Sequence, residues 1–333
     1  MRFGINLPPR GPEVVEDVKL ADELGYEYVG FVDSQLLWRE IYCILAVSAV
    51  SSSRIRLGPG VTNPLTRHPA VTASAIATID ELSCGRAILA LGRGDSAVHT
   101  IGLEPVSLRV LREYVEVCRK LTAGQEAIYQ GKSMRLRWAK RQVPIALVAS
   151  GPKMLALAGE IADRVTMLVG AEPGLVRWGI EHVRRGAEAA GRDFSRIDLG
   201  VYLPCSVTDD LPRGREEVRA MAAAILNVYA QQKSLKADEV PAEIVAELDL
   251  IRGRYNYMEH TSLGARHAQA ITDRAIDRVA LVGPAAECRE RLSALADLGI
   301  QHAVFFVEPL ADAGRRRELI TSMADSFFSL GPS

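Results

Sequence analysis

The stretch "IRLGPGVTNPLTRHPAVTASAIATIDEL" (residues 55–82) decides the fold. It starts with an apolar run of strand length, 55–61, and ends with a segment of helical apolar spacing, 69–82. A buried strand followed by a helix is the repeating unit of a parallel sheet. Within the strand, Gly58-Pro59-Gly60 interrupts the run. Because proline cannot donate to a ladder and glycine commonly marks a bulge or a close backbone approach, we expect an irregular strand here.

The same unit recurs along the chain. Seven further apolar runs of strand length lie at 2–7, 28–33, 86–92, 145–150, 164–170, 198–207 and 302–309. Eight strand-helix units in 333 residues favour a closed (β/α)8 TIM barrel over an open doubly wound sheet, which commonly has fewer strands. We therefore predict one barrel domain over residues 1–333.

Two segments depart from the repeat. Residues 126–142 alternate around a glycine-containing turn, which predicts a small hairpin. Residues 209–277 form a predicted helical insertion after the seventh of these strands, with apolar-faced helices at 220–230 and 244–251. Because strand-to-helix loops build the active site of a barrel, we interpret the insertion as a lid or substrate wall. An oligomerisation arm is the alternative.

Composition excludes several function classes. Forty Lys and Arg against 41 Asp and Glu leave a net charge of -1, so no global field attracts nucleic acid or an anionic membrane. The five cysteines are widely spaced with no C-x-x-C, which is typical of reduced thiols in a cytoplasm. No signal-like N-terminus and no apolar run of 18 residues occurs. These features predict a cytoplasmic protein with neither a nucleic-acid nor a membrane partner.

Candidate site residues follow the predicted strands, because in a barrel the carboxyl ends of the strands face the catalytic mouth. The positions concerned are Asn6, Asp33, Ser34, Gly60, Val61, Thr62, Asn63, Arg93, Gly94, Asp95, Ser96, Ser150, Gly151, Pro152 and Glu308. They include no His/Asp/Glu cluster dense enough for a catalytic metal, so we predict a site without a metal.

Two glycine-bearing turns suggest anion binding to different degrees. "GRGDSA" (92–97) has the glycine spacing of a dinucleotide fold but follows the fourth strand, so we interpret it as loop geometry. In "ASGPKM" (149–154), Ser150-Gly151 precede Pro152 at a first helical position. Free N–H groups at such a helix start suit a phosphate, although an ordinary helix start has the same pattern.

The segment "LGPGVTNPLTRHPAVTASAIATIDELSCGRAILALGRGDSA" (57–97) resembles the F420-dependent methylenetetrahydromethanopterin reductases of the bacterial-luciferase-like superfamily. The order and spacing of 58–64, 80–82, 85–86 and 94–95 carry the resemblance, and "RFGI" and "ASGPKMLALAGEIADRV" continue it. Weaker similarity at "VALVGPAAECRERL" (279–292) and the last strand extends it over nearly the whole chain. It implies a (β/α)8 barrel that binds coenzyme F420, with FMN as the alternative cofactor.

The resemblance also implies roles for individual residues. A non-prolyl cis peptide bond would fall at Gly60-Val61, where the bulge backs the central ring of the cofactor. The implied cofactor-binding residues are Asp33, Ser34, Gly60, Val61, Thr62, Asn63, Asp95, Ser150, Gly151 and Pro152, the last three near the phosphate. Asp95 is the candidate for proton transfer or for ordering the polar groups beside the ring. Its alternative role is a cap on the loop after the fourth strand.

Two positions differ from the reductases. This chain has Asn6 where they carry a glutamate that is a candidate proton donor, and Ser34 where they commonly have histidine. Asparagine cannot pass a proton as a carboxylic acid does. Asn6 is therefore a catalytic candidate without an assigned role, and the substrate of the protein stays open.

The predicted function is hydride transfer between the reduced ring and an electrophilic carbon of a small organic substrate. The alternatives are an FMN-dependent monooxygenase served by a flavin reductase, and a non-catalytic flavin-binding barrel. A homodimer or homotetramer is expected.

Overall fold

The computed structural model describes residues 1–231, 248–249, 251–307 and 312–328. Glu308 and most of the predicted 244–251 helix lie outside the described residues. The strands are β1 (Arg2–Leu7), β2 (Tyr28–Phe31), β3 (Arg56–Pro59), β4 (Leu89–Leu91), β5 (Ala127–Tyr129), β6 (Lys132–Met134), β7 (Ile145–Ala149), β8 (Arg164–Met167), β9 (Asp198–Val207), β10 (Leu281–Gly283) and β11 (His302–Phe306). The α-helices are α1 (Val14–Leu24), α2 (Ile41–Ser51), α3 (Pro69–Leu82), α4 (Ser96–His99), α5 (Leu108–Thr122), α6 (Pro152–Ile161), α7 (Pro173–Ala189), α8 (Leu211–Ala230), α9 (Asp273–Val279), α10 (Ala285–Ala296) and α11 (Ala313–Phe327).

The strand order confirms the (β/α)8 class. Eight strands follow one hydrogen-bonded path, β3-β2-β1-β11-β9-β8-β7-β4, and two isolated parallel bridges join β3 and the β4 segment, the two ends of that path. The doubly wound alternative is therefore wrong. The predicted hairpin is also confirmed, because β5 and β6 form a separate antiparallel pair.

The sequence pattern missed two short elements and extended several strands too far. β10 has three residues and pairs with the second half of β9, and α4 is a single turn. Elements of this length leave no measurable periodicity in the sequence. β2 and β3 each end before the predicted limit, because the chain turns away from the ladder at the residues that build the candidate site.

The chain forms two compact units, and the prediction of one domain over 1–333 stays a prediction. We call residues 6–148 with 161–164 the bulge unit, and residues 1–5, 149–160 and 165–333 the terminal unit.

The bulge unit shows why its helices form. In α5 the apolar positions Leu111, Tyr114, Val115 and Cys118 recur at helical spacing and are buried, whereas the charged positions face outward. The hydroxyl of Ser107 caps the helix by accepting the N–H of Val110 at 3.3 Å. Fully burying each large apolar side chain stabilises the unit by about 1.5–3 kcal/mol.

The terminal unit contains a chain of polar contacts near the start of its strands, which runs from the buried Thr166 and His302 to the half-buried Asp198 and the exposed Arg2. The hydroxyl of Thr166 lies 3.0 Å from Nε2 of His302, and Nδ1 of His302 lies 2.8 Å from Oδ1 of Asp198. Arg2 donates to the same carboxylate oxygen at 2.6 Å. We call Thr166, His302, Asp198 and Arg2 the strand-start network. A Cβ at Gly200 would collide with the His302 ring, which explains the glycine there.

Helices occupy the described part of the predicted insertion, 209–277. α8 begins it and α9 ends it, with two short 3-10 turns between them at Tyr257–Glu259 and Arg266–Ala270. Its role as a lid stays a prediction. Among the described residues, none of the helices has both the length and the apolar character needed to cross a membrane.

Candidate active site

The interruption in β3 is a bulge of one residue. Leu57 bridges to Ala87, and Thr62 bridges to Leu91. The chain therefore advances five residues between the two bridges on the β3 side but only four residues on the β4 side. The extra residue falls within Gly58–Val61, and one additional residue on one strand is the definition of a β-bulge. The irregular strand predicted from Gly58-Pro59-Gly60 is confirmed.

The bulge presents backbone at its surface. The Gly60-Val61 peptide bond is cis, as the resemblance implies. Gly60 and Val61 are half-buried, whereas Pro59 and Thr62 on either side are buried. The N–H of Gly60 donates to the carbonyl of Phe31 at 2.6 Å, which ties the bulge to β2. The accessible backbone is thus a small fixed surface between buried neighbours.

Two side chains hold the carbonyl groups of the bulge. The Tyr28 hydroxyl donates to the Pro59 carbonyl at 2.7 Å, and the Asn6 amide nitrogen donates to the Gly60 carbonyl. Burial raises the pKa of Tyr28 well above its usual range, so this hydroxyl keeps its proton. A Cβ at Gly60 would lie 2.6 Å from Cγ and 2.7 Å from Nδ2 of Asn6, so only glycine allows this approach.

A buried ion pair follows the bulge. The Thr62 hydroxyl donates to the Asp33 carboxylate at 2.7 Å, and Arg67 donates to both oxygens of that carboxylate at 2.5 and 3.2 Å. A second branch joins Arg67 to Glu40 at 2.7 Å. We call Thr62, Asp33, Arg67 and Glu40 the strand-end network. Both oxygens of Asp33 are engaged within it, so the carboxylate fixes the residue at which the bulge ends.

Arg67 is the residue that the sequence analysis missed. Burial would lower the pKa of its guanidinium, but the bonds to Asp33 outweigh burial and raise it. The side chain also lies over the Tyr42 ring, 5.0 Å from its centroid. The available signal was a buried aspartate at a predicted strand end, which requires a cationic partner nearby. Sequence could not tell which arginine supplies it.

Asn63 turns the chain away from the bulge. Its side-chain oxygen accepts the N–H groups of Leu65 and Thr66 at 2.9 and 3.1 Å, which makes an Asx turn. The side chain is buried, and its predicted contact with a cofactor stays a prediction.

The end of β2 is fastened to α4. The hydroxyls of Ser34 and Ser96 lie 2.6 Å apart, and Gln35 donates to the Ala97 carbonyl at 2.7 Å. Asp95 is half-buried at the start of α4, and its side chain makes no capping hydrogen bond to that helix. Both roles of Asp95, proton transfer and a cap on the loop after the fourth strand, stay predictions.

The predicted phosphate residues lie in the terminal unit. Ser150 and Gly151 follow β7, and Pro152 is the first residue of α6, as the sequence predicts. Gly151 has φ of 76°, a left-handed conformation that favours glycine. Their phosphate-binding role stays a prediction. Within the described ranges, no group of three or more His, Cys, Asp or Glu side chains could hold a metal.

Comparisons with known proteins show the family and agree with the fold. The family model "Luciferase-like monooxygenase" matches residues 1–302. A 5,10-methylenetetrahydromethanopterin reductase of Archaeoglobus fulgidus is 32% identical over 317 residues, covering 91% of this chain and 92% of the relative. The corresponding enzyme of Methanolobus tindarius is 30% identical, covering 91% and 93%. The solved F420-dependent tetrahydromethanopterin reductase of Methanopyrus kandleri superposes with a TM-score of 0.76 at 24% identity, covering 99% of each chain.

Proposed function

The chain belongs to the luciferase-like monooxygenase family, and from this membership we propose that it is an F420-dependent oxidoreductase. It would transfer a hydride between the reduced deazaflavin ring and an electrophilic carbon of a small organic substrate. Relatives that cover more than nine-tenths of this chain are named as methylenetetrahydromethanopterin reductases, and the solved tetrahydromethanopterin reductase is named as F420-dependent, which supports the deazaflavin over FMN.

The observation that carries the proposal is the surface of the bulge. Gly60 and Val61 are half-buried and offer backbone and one aliphatic side chain, and the carbonyls of Pro59 and Gly60 are held by Tyr28 and Asn6. The nearby Asp33 charge is paired with Arg67. A rigid, uncharged surface of this kind fits the face of a flat ring, so the residues present fit the cofactor.

The remaining residues orient the reacting groups and order the polar groups beside the ring. When bound, the deazaflavin supplies the hydride. With cofactor and substrate bound, the chain would supply much of the rate by orienting the donor and acceptor atoms. Asp95 holds or passes a proton beside the ring, and the Ser34–Ser96 contact keeps the start of α4 in place.

Titration of the cofactor-free protein with F420 and with FMN tests this function. We expect quenching of the F420 ring fluorescence with a dissociation constant at least about tenfold below that for FMN. Preference for FMN, with oxygen consumed alongside substrate and reducing equivalents supplied by a flavin reductase, would instead support the monooxygenase. Binding without turnover on a panel of electrophilic acceptors would support the non-catalytic barrel.

Self-association belongs to the same proposal. Cys43, Val47 and Val50 are exposed at helical spacing on α2, which contains no charged residue. Val71 and Leu82 are exposed on α3, which packs against α2. A helix with exposed apolar side chains and no charged residue is a candidate for a protein interface, so we propose that the chain forms a homodimer or homotetramer. Light scattering should give a mass two or four times the 36.2 kDa of the chain, and a mass of one chain would contradict it.

A cytoplasmic location completes the proposal. The five cysteines are all free thiols, which suits a reducing compartment. Fractionation of the native host would test this assignment, and recovery of the protein outside the cytoplasm would contradict it.

A further inference from the structure

We propose that Asn6 is a positioning residue, which sets the bulge surface for the cofactor by donating a hydrogen bond to the Gly60 carbonyl. The inference rests on the proposed function. This task differs from proton donation, the role implied for the glutamate that the reductases carry at this position.

The contact geometry determines which atom of Asn6 faces the bulge. Asn6 is 1% exposed near the end of β1, and its side-chain nitrogen donates to the carbonyl of Gly60. A carbonyl oxygen can only accept, so the amide must present its nitrogen rather than its oxygen. The acceptor-only Gly60 carbonyl therefore fixes the orientation of the Asn6 amide.

Glycines on two neighbouring strands leave room for this side chain. A Cβ at Gly60 in β3's bulge or at Gly30 in β2 would overlap the Asn6 side chain. The Asn6 amide thus fills the space that both glycines leave, and it lies directly against the Gly60-Val61 peptide of the bulge. A shift of Asn6 moves Gly60 and, through the next peptide bond, Val61.

A carboxylate cannot perform this task. An ionised Asp or Glu has only acceptor atoms, so it would place oxygen against the Gly60 carbonyl. A protonated carboxyl group could still donate. Compared with the glutamate of the reductases, Asn6 therefore cannot transfer a proton but supplies a hydrogen-bond donor at every pH.

Asn63 provides a matched control for the direction of the hydrogen bond. It is 2% exposed, close to the burial of Asn6, but its side chain accepts two backbone N–H groups instead of donating. The change Asn→Asp keeps an acceptor at position 63 and removes the donor at position 6. The same substitution is therefore expected to make stability fall with rising pH at position 6 but not at position 63.

The first experiment measures urea unfolding of the cofactor-free variants at about pH 5 and about pH 8. In Asn6→Asp only the protonated carboxyl can donate, so its folded pKa is raised and the stability relative to wild type falls as pH rises through that pKa. In Asn63→Asp the ionised form keeps both bonds, so its folded pKa is lowered. Because an aspartate with an unfolded pKa of ~3.9 is ionised at about pH 5 in both states, the relative stability of this variant should not change between the two pH values. Equal slopes for the two variants would overturn the assigned hydrogen bond.

The second experiment measures F420 binding by ring fluorescence, with wild type as the reference at each pH. Asn6→Asp should bind about tenfold or more weakly at about pH 8, with affinity partly restored at about pH 5. Asn6→Leu, which removes the donor without adding a charge, should bind about tenfold more weakly at both pH values, and it serves if Asn6→Asp does not fold.

Wild-type affinity in both Asn6 variants would overturn the positioning role while leaving the proposed function intact. Failure of the wild-type protein to bind F420 would instead overturn the proposed function. The unfolding slopes need no cofactor, so they separate these two failures.

Discussion

The strand-end and strand-start networks use similar groups at opposite ends of strands. Each contains a threonine hydroxyl, a buried carboxylate or histidine, and an arginine. The strand-end network adjoins the half-exposed bulge, whereas His302 at the centre of the strand-start network is fully buried. In a barrel, catalytic residues come from the carboxyl ends of the strands, and residues at the opposite ends serve stability. Location along the strand, rather than residue type, therefore distinguishes a candidate site from a structural anchor.

The two networks also differ in how far their charges are removed from water. The side chains of Asp33 and Arg67 are 3% and 16% exposed, whereas those of Asp198 and Arg2 are 23% and 44% exposed. A desolvated pair loses far more when one partner is removed than a solvated pair does. This difference ranks the expected effects below.

Removing the arginine should have the largest effect on stability. Arg67→Met removes the cationic partner of the buried Asp33 and leaves the Thr62 hydroxyl as its donor within the strand-end network, so it should lower the free energy of unfolding by about 3–5 kcal/mol. Arg2→Met at the strand-start network should cost less than about 1 kcal/mol, because that pair is solvated. Urea denaturation measures both, and equal losses would remove the distinction between the networks.

Replacing a carboxylate should separate turnover from stability. Asp95→Asn should lower turnover about 100-fold, the size expected for loss of a proton-transfer group, or about 2.7 kcal/mol of barrier. The unfolding free energy should change by less than about 0.5 kcal/mol. Asp198→Asn, in the strand-start network, should leave turnover unchanged. A normal rate in Asp95→Asn would assign Asp95 a structural role.

A matched pair of threonine substitutions compares the networks directly. Thr62→Val and Thr166→Val each remove one buried hydroxyl with little change of shape, so each should cost about 1–3 kcal/mol of unfolding free energy. Only Thr62→Val should also weaken F420 binding, because Thr62 follows the bulge. Weaker binding in both variants, or in neither, would contradict the assignment of the bulge as the cofactor surface.

The smallest expected change comes from adding one methyl group. Gly60→Ala should weaken F420 binding by about tenfold, because the new Cβ forces the Asn6 side chain to move. Gly174→Ala is the control, since a Cβ there meets no atom within 4 Å. Fluorescence titration of both variants measures the difference. Unchanged affinity in Gly60→Ala would show that the bulge surface does not contact the ring.

Much of the site could be predicted from residues close together in sequence. Gly58-Pro59-Gly60 predicted an irregular strand because these residue types disturb a ladder wherever it runs. The Ser150-Gly151-Pro152 turn followed from the same local rules, and Gly151 adopts the left-handed conformation that its type allows. The partner of Asp33 did not follow, because Arg67 lies 34 positions away and many other arginines were available.

By itself, the sequence determined the class of fold, the interrupted third strand and the family resemblance, because periodicity, glycine and proline act locally along the chain. The tertiary structure alone decided that Asn6 donates to Gly60 and that Arg67 neutralises Asp33. It also decided that Thr166, His302 and Asp198 form an anchor. Hydrogen bonds and ion pairs depend on distances between side chains far apart in sequence, and only folding sets those distances.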